Sequence, residues 1–403
     1  MNGKYKMKFI KDVFLNIASQ SLFLAVMQLL LFPHFETSIG QNEFGEFLLY
    51  YAIFNVISVT LATSFTNLYQ KKYNTYKGLT DSKLNYYIFM KSMMIYFSIF
   101  ILLLFVLLIV TNITTLEYVI LLFLILFTAI RTFMLVWYRV NKKFERILVI
   151  NIVLSILYMC VIFLEIDSIL NILISFSVVE LVIILIIGLM VRINIKTIFN
   201  INIKNISFKS INILMISGFA SSLMNYSDRF IINFLLGSGS ITVFYIASLP
   251  TKMMLIPFNM LSSVILSYIA ETDKISMKIK KKVFVLLPLI FLVVTMSSYF
   301  IGLILIKYIY PNYLPLIEKI YILVILTFGL ICLEFILRSF LLKYYSIKIK
   351  ALLDVSSLIL FILLSMIFVN IEQSLIAIAY AQLISYAIKI FIEIIIFSKL
   401  KVS

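Results

Sequence analysis

The sequence predicts an all-α integral membrane protein with about twelve transmembrane helices, arranged as two halves of six. Three observations predict this fold. The chain is 63% hydrophobic and only 13% charged, which is unlike the composition of ordinary soluble proteins. Apolar stretches near the roughly 20 residues that a bilayer-crossing helix needs recur along the whole chain. The gaps between these stretches alternate between basic and non-basic.

The apolar stretches give the positions of the predicted spans, to within a few residues at each end. They lie at about 12–33, 45–65, 88–110, 118–138, 147–164, 169–191, 213–235, 241–268, 283–306, 317–337, 351–369 and 374–396.

The basic residues predict the orientation of the helices. Of the 34 lysines and arginines, 28 lie at alternate gaps and chain ends, whereas the opposite gaps hold or border only Lys307 and Lys319. Because cytoplasmic loops retain lysine and arginine, the basic side is predicted to be cytoplasmic, with both termini on it. The net charge of +16 is then explained by topology and by attraction to anionic lipid headgroups. A nucleic-acid role is disfavoured, because these charges form no separate basic domain.

A longer basic gap at the middle of the chain predicts the division into halves. We expect an N-terminal half at 1–192, a cytoplasmic linker at 193–212 and a C-terminal half at 213–403. Six spans before the linker and six after it have the same orientation. Parallel repeats of this kind are common in transporters, whose substrate sites lie at the repeat interface.

Enzymatic and metal-dependent classes are disfavoured by what the sequence lacks. It contains two cysteines, placed within different predicted spans, and a single histidine, so neither a disulfide framework nor a His/Cys metal site is predicted. No phosphate-binding glycine loop or GxSxG elbow is present. The loops are too short for a soluble catalytic domain, and no cofactor is expected.

Charged residues inside the predicted spans are the candidates for function. A charge near the bilayer centre costs at least about 2.5–3.5 kcal/mol, so such residues usually face the bundle interior or a hydrated cavity. Nine side chains qualify: Arg131, Glu180, Asp228, Arg229, Lys252, Glu334, Asp354, Lys389 and Glu393.

Asp228, Arg229 and Lys252 are the first group of candidates. Arg229 is suited to bidentate contact with a phosphate. Lys252 lies between Pro250 and Pro257, which predict a broken helix beside a cavity. The alternative for Asp228 and Arg229 is an interhelical ion pair that fixes packing, and for Lys252 it is snorkelling or pairing with an acid such as Asp228.

Arg131 and Glu180 are the second group. Arg131 is read either as a cavity charge or as the buried partner of Glu180. Glu180, alternatively, is a protonatable coupling residue, as is Asp228. For Glu334, Asp354, Lys389 and Glu393 we expect structural roles near the interface, and the four-residue spacings predict ion pairs of Glu334 with Arg338 and of Lys389 with Glu393.

Three short motifs resemble one transporter family. Pro33-His34-Phe35-Glu36-Thr37-Ser38-Ile39-Gly40-Gln41-Asn42-Glu43-Phe44-Gly45 is similar to the family's proline, apolar, glycine and Phe-Gly pattern before the second helix. Asp228-Arg229-Phe230-Ile231-Ile232-Asn233-Phe234-Leu235-Leu236-Gly237 resembles its Asp-Arg-apolar segment on the seventh helix. Ile241-Thr242-Val243-Phe244-Tyr245-Ile246-Ala247 resembles its aromatic-plus-alanine run. Ile39 and Thr242 depart from the usual leucine and glycine.

On these motifs and the topology, the chain resembles the Wzx-type polysaccharide flippases, which carry O-antigen or capsule repeat units. They belong to the multidrug/oligosaccharidyl-lipid/polysaccharide exporter superfamily, together with the MATE exporters. The resemblance implies a MATE-like fold in the bacterial inner membrane. It also implies alternating-access transfer of undecaprenyl-diphosphate-linked oligosaccharides from the inner to the outer leaflet.

The resemblance also suggests roles for the candidate residues. Arg131, Arg229 and Lys252 would offset the diphosphate charge, and Asp228 or Glu180 would couple the cycle to an H⁺ or Na⁺ gradient. Expected partners are membrane lipids, a polysaccharide polymerase and a chain-length regulator.

Two other functions remain open. A MATE-like, cation-coupled drug exporter would use the same fold, but it favours acids in the first half and little positive charge. A membrane polysaccharide polymerase or ligase would favour a large, charged outer loop, and the predicted outer loops are short.

Overall fold

A computed structural model describes residues 3–76, 82–110, 113–202, 208–269, 275–345 and 347–400, almost all of them helical. The chain divides into two compact units, Met1–Tyr226 and Ser227–Ser403. The division falls inside one long helix, α9, and thus within the seventh predicted span.

The helices follow the predicted spans along the chain, with two short additions. The first eight are α1 (Gly3–Ala25), α2 (Phe32–Tyr76), α3 (Ser82–Val110), α4 (Thr115–Met134), α5 (Val136–Val140), α6 (Phe144–Cys160), α7 (Ile169–Val191) and α8 (Ile195–Asn200). The remaining six are α9 (Phe208–Leu236), α10 (Ser238–Ile269), α11 (Met277–Ile309), α12 (Leu314–Tyr344), α13 (Ile347–Ile371) and α14 (Leu375–Ser398). A π-helical segment, Val26–Leu31, joins α1 to α2.

Gly40 separates the first two predicted spans. It lies within α2 with φ 79° and ψ 171°, which is not a helical conformation. Glycine adopts positive φ without the steric penalty that a Cβ atom imposes. Gly40 therefore acts as a turn residue, and the second predicted span follows it in the remainder of α2.

Polar residues placed before the apolar runs determine where several helices begin. The hydroxyl of Thr114 accepts a hydrogen bond from the backbone N–H of Glu117, whose carboxylate accepts one from the Thr114 backbone N–H. This capping box satisfies amides that the first turn of α4 leaves unpaired. Ser168 and Ser374 cap α7 and α14 in the simpler way, through one side-chain oxygen each.

Among the described residues, ten helices are long and apolar enough to cross a membrane. One of them, Ile17–Gln70, contains the Gly40 break and therefore covers two predicted spans. The seventh predicted span lies in α9, where Ile211–Ala220 is a shorter apolar segment. The chain is thus a multi-pass membrane protein.

Each unit has its own packed interior. In the first unit, α4 packs against α2 and α7, and α1 packs against α6. Phe32, Phe35, Phe47 and Phe176 make edge-on or tilted ring contacts there, the favoured geometry for aromatic pairs. In the second unit, α12 packs against α10, α11 and α14.

In the second unit, α12 is much more buried than α11 and α13. In α12, 78% of the most apolar window is buried, against 22% in α11 and in α13. Large apolar side chains such as Phe300 on α11 and Leu352 on α13 are mostly exposed. In a bilayer such surfaces face the acyl chains. A charged residue on a buried helix such as α12 therefore needs a partner inside the protein.

Candidate functional site

A cavity of about 250 Å³ lies inside the first unit. Its wall combines charged, amide, hydroxyl and aromatic side chains from α1, α2, α4, α5, α6 and α7. Those that bear on its chemistry are Gln20, Phe23, Tyr51, Asn55, Thr128, Arg131, Thr132, Arg139, Asn151, Tyr158, Phe176 and Glu180.

Arg131 and Glu180 form a buried ion pair in the wall of this cavity. The Nε atom of Arg131 donates to Oε2 of Glu180 over 2.6 Å, and the Tyr158 hydroxyl donates to Oε1 over 3.0 Å. The Glu180 side chain is 1% exposed and that of Arg131 is 11% exposed. The sequence left a buried pair and a cavity charge as alternatives for Arg131, and the structure has both.

The pairing leaves Arg131 with capacity to bind an anion. A guanidinium carries five N–H donors in a planar fork. Among the described residues, this side chain makes one hydrogen bond, from Nε–H to Glu180, and its other N–H donors have no hydrogen-bond partner. The Arg131 guanidinium also lies 5.9 Å from the ring centroid of Phe23, a second wall residue.

Arg139 also lines this cavity, although the sequence placed it in a cytoplasmic loop just past the fourth span. The chain stays helical into α5, so residues 131, 135 and 139 follow one another at intervals of four and lie along one side. That spacing was the signal available in the sequence. Two arginines against one glutamate give the wall a formal charge of +1.

The uncharged polar wall residues were also missed from sequence. Gln20, Asn55 and Asn151 lie within predicted spans and line the cavity, but they carry no charge and so were not among the candidates. Their amides donate and accept hydrogen bonds, as sugar hydroxyls do.

A second group of candidates meets in the second unit. The Nζ atom of Lys252 on α10 donates to Oδ2 of Asp228 on α9 over 3.0 Å. The Tyr245 ring centroid lies 5.5 Å from Cζ of Arg229 and 5.9 Å from Nζ of Lys252. The structure thus shows the pairing of Lys252 with Asp228 that the sequence left as the alternative, and it brings Arg229 and Lys252 to one aromatic ring.

The predicted break at the two prolines of α10 is wrong. Pro250 and Pro257 both lie inside a helix that continues from Ser238 to Ile269. Each proline removes one N–H donor, but neighbouring helices compensate for such losses in membrane proteins. Lys252 is therefore presented by a continuous helix.

Five charged residues form a third group, where α12, α13 and α14 meet. Lys350 Nζ lies 2.9 Å from Glu334, 2.7 Å from Asp354 and 2.7 Å from Glu393. Lys389 Nζ lies 2.8 Å from Glu334 and 2.9 Å from Asp354. We call these five residues the three-helix charge cluster.

The cluster corrects the predicted pairs along single helices. Glu334 pairs with Lys350 and Lys389 rather than with Arg338, and Lys389 pairs with Glu334 and Asp354 rather than with Glu393. Residues four apart on one helix are neighbours, but in a poorly solvating interior the helix–helix interface offers each charge more than one partner. Lys350 was not a candidate, because it precedes the eleventh predicted span.

Comparisons with known proteins place the fold. No protein-family model matches the sequence, and no curated protein sequence matches it significantly. Solved structures do match. An outward-facing multidrug resistance MATE family transporter of the MOP superfamily superposes with a TM-score of 0.67 at 12% identity, covering 96% of this chain and 94% of that one.

Two further structures extend the likeness. The lipid II flippase MurJ, in an inward closed conformation, has a TM-score of 0.63 at 15% identity, covering 98% of this chain and 87% of its own. The Vibrio cholerae MATE transporter VcmN, in a bent form, has a TM-score of 0.61 at 14% identity, covering 96% of each chain. At these identities the likeness establishes the fold alone. The predicted all-helical, MATE-like fold is confirmed.

Proposed function

We propose that this protein is a Wzx-type flippase. It would move undecaprenyl-diphosphate-linked oligosaccharide repeat units from the inner to the outer leaflet of the bacterial cytoplasmic membrane, for O-antigen, capsule or exopolysaccharide assembly. No covalent bond changes in this process. The observation that carries the proposal is the cavity of the first unit. Its lining is largely apolar, but it contains two arginines and one glutamate, which give it a formal charge of +1 inside a bundle of predicted membrane spans.

The cavity wall matches the chemistry of a diphosphate and a sugar. Arg131 and Arg139 supply guanidinium groups, which bind phosphate oxygens through pairs of N–H donors. Amides and hydroxyls suit sugar hydroxyls, and aromatic rings such as Tyr51 suit the apolar faces of sugar rings. A volume of about 250 Å³, below the roughly 300–1,000 Å³ of drug-sized ligand sites, accommodates part of such a ligand, while the lipid tail stays in the bilayer.

The charge of the wall opposes a cationic drug as substrate. A cation entering this cavity would meet two guanidinium groups and one carboxylate that is already bonded to Arg131 and Tyr158. Placing like charges together in a poorly solvating interior is unfavourable. An anionic ligand instead gains from both arginines.

Arg229 and Lys252 are proposed to contact the diphosphate in the second unit. Together with Asp228 they give their group a formal charge of +1, and both lie against the Tyr245 ring. We propose that transport proceeds by alternating access and that Asp228 or Glu180 takes part in coupling to an H⁺ or Na⁺ gradient. Glu180 is bonded to Arg131, and Asp228 is bonded to Lys252. Protonation or ion binding at either acid would therefore alter a side chain that is proposed to bind the diphosphate.

The test is transfer of a fluorescent undecaprenyl-diphosphate-linked disaccharide in liposomes that contain the purified protein. A membrane-impermeant reductant destroys fluorescence in the outer leaflet, so the remaining signal reports leaflet exchange. We expect rapid exchange with the intact chain and at least a tenfold slower rate with Arg131→Gln/Glu180→Gln. This double variant keeps both side chains at similar size and removes both charges, which avoids leaving one buried charge unpaired.

A charge-reversed pair, Arg131→Glu/Glu180→Arg, is the matched control for folding, since it preserves the ion pair and the net charge of the wall. Full activity of the neutral variant would overturn the assignment of Arg131 to the diphosphate. Export of ethidium by the same liposomes, with no exchange of the lipid, would replace the flippase proposal with a cation exporter.

A further inference from the structure

We propose that the three-helix charge cluster is a proton-binding site and that Glu393 carries the proton. The cluster contains three carboxylates, Glu334, Asp354 and Glu393, and two ammonium groups, Lys350 and Lys389. With every group ionised its formal charge is −1. A buried charge without a counter-charge is costly, and one added proton makes the cluster neutral.

The geometry identifies the carboxylate that takes the proton. Glu334 Oε1 and Asp354 Oδ1 each receive both ammonium groups, at 2.7 to 2.9 Å. Glu393 receives one, from Lys350 to Oε1 at 2.7 Å. Among the described residues no group donates to its other oxygen, Oε2, and the side chain is 0% exposed. Glu393 is therefore the least compensated acid and the most buried.

Among the described residues, no contact joins Glu393 to a further charged group on α10, α11 or α14, or to Arg338 on α12. On α14 itself, Lys389 bonds to Glu334 and Asp354, and it lies 5.5 Å from the Tyr386 ring centroid. Lys252 on α10 bonds to Asp228. Lys280 on α11 donates to the backbone carbonyls of residues 398 and 400.

A metal ion fits the cluster less well than a proton does. One carboxylate oxygen from each of the three acids lies within 4.8 Å of the others, which is a spacing that metal ligands adopt. However, the ammonium groups of Lys350 and Lys389 already lie within 2.9 Å of these oxygens. A metal cation there would be repelled by two positive charges, whereas a proton needs only the lone pair of Glu393 Oε2.

Protonation would change the bond between two helices. A hydronium ion transfers its proton to Oε2 and leaves as water, and the carboxylate becomes a neutral carboxyl group. The contact of Lys350 with Glu393 then loses its charge–charge attraction, while the contacts of Lys350 with Glu334 and Asp354 keep theirs. One of the two ionic contacts between the described residues of α13 and α14 is thereby weakened, while the contact of Lys389 with Asp354 is kept. Asp354, with 26% of its side chain exposed, is the member through which the cluster is most accessible.

The site itself follows from the geometry, whereas its role in coupling rests on the proposed flippase function. In that function, a proton bound at Glu393 on one side of the membrane and released on the other would drive the rearrangement of α14. Asp228 and Glu180, the acids nominated from sequence, each lie in a formally neutral pair with one cation. Only the three-helix charge cluster, among these groups, has an excess acid.

The test is infrared difference spectroscopy of the purified full-length chain as pH is changed, which detects the C=O stretch of protonated carboxyl groups. We expect a band from a buried carboxyl in the intact chain, loss of that band in Glu393→Gln and no change in Glu372→Gln, an exposed glutamate at the end of α13. Glu393→Asp keeps a carboxyl group and should keep the band at a shifted frequency, which guards against misfolding of the glutamine variant. An unchanged band in Glu393→Gln would overturn the proposal.

The liposome assay separates the site from the function. If the infrared band is lost in Glu393→Gln but the intact chain does not exchange the lipid, the proton site stands and the flippase proposal fails. Lipid exchange that responds equally to an imposed proton gradient in the intact chain and in Glu393→Gln would reject coupling through this cluster.

Discussion

Lys350 Nζ lies 2.7 Å from Glu393 Oε1, so a residue near the start of α13 is bonded to one near the end of α14. The side chain of Lys350 is 4% exposed and that of Glu393 is 0% exposed. The same ammonium group also contacts Glu334 on α12. One lysine thus holds three helices together at a point where charges are poorly solvated.

Replacement of Lys350 by methionine is therefore expected to destabilise the second unit. The change keeps a side chain of similar length but removes the ammonium group that, in the described part of the chain, is the one in contact with Glu393. Removing one partner of a buried ion pair typically costs about 3–5 kcal/mol. Thermal unfolding of the purified protein in detergent checks this expectation. Lys278→Met, at an exposed site on α11, is the matched control, and an equal melting temperature in the two variants would contradict it.

Gly40→Ala is expected to destabilise the first unit by about 1–3 kcal/mol, the usual cost of a strained backbone conformation. The reason is backbone conformation, since φ is +79°, and beyond the adjacent backbone no atom of the described residues lies within 4 Å of where the new Cβ would be. Gly188→Ala is the control, since its Cβ would meet Met134 at an ordinary 3.9 Å within a helix. We expect that control to be neutral or to stabilise by about 0.5–1 kcal/mol, as measured by thermal unfolding. The reverse order of the two melting temperatures would refute the explanation.

Gly302→Ala is expected to separate α11 from α10. A Cβ atom at position 302 would lie 2.8 Å from Cβ of Pro250, and it would also overlap the hydroxyl of Tyr321. Overpacking of this kind typically costs about 1–3 kcal/mol. Adding Tyr321→Phe removes the overlapping hydroxyl but leaves Pro250, so the double variant should recover only part of the lost melting temperature. A double variant as stable as Tyr321→Phe alone would show that Pro250 offers no obstacle.

Local sequence patterns were enough to locate the helices. The sixth predicted span, 169–191, coincides with α7, because Ser168 provides a cap in front of a continuous apolar run. Gly40 lies in the motif between the first two predicted spans, and it breaks α2 there because glycine adopts a positive φ without a Cβ penalty. These features depend on residues close in sequence and on the bilayer, which requires long apolar helices.

Sequence patterns were less informative where surrounding helices override the local preference of a residue. Two prolines predicted a break in α10, yet the helix continues through both. Arg139 appeared to belong to a loop, yet it lines the cavity that contains Arg131. In both cases the surrounding helices, rather than the local residues, decide the outcome.

The sequence by itself determined that this chain is a multi-pass helical membrane protein, and that several charged residues fall within its predicted spans. The tertiary structure alone decided how those charges are partnered. Lys350 and Glu393 are 43 residues apart, and Arg131 and Glu180 are 49 apart, so no periodicity along one helix relates them. Which face of a helix meets which neighbour depends on packing across the whole unit, and a buried charge is stabilised only by the partner that this packing brings within bonding distance.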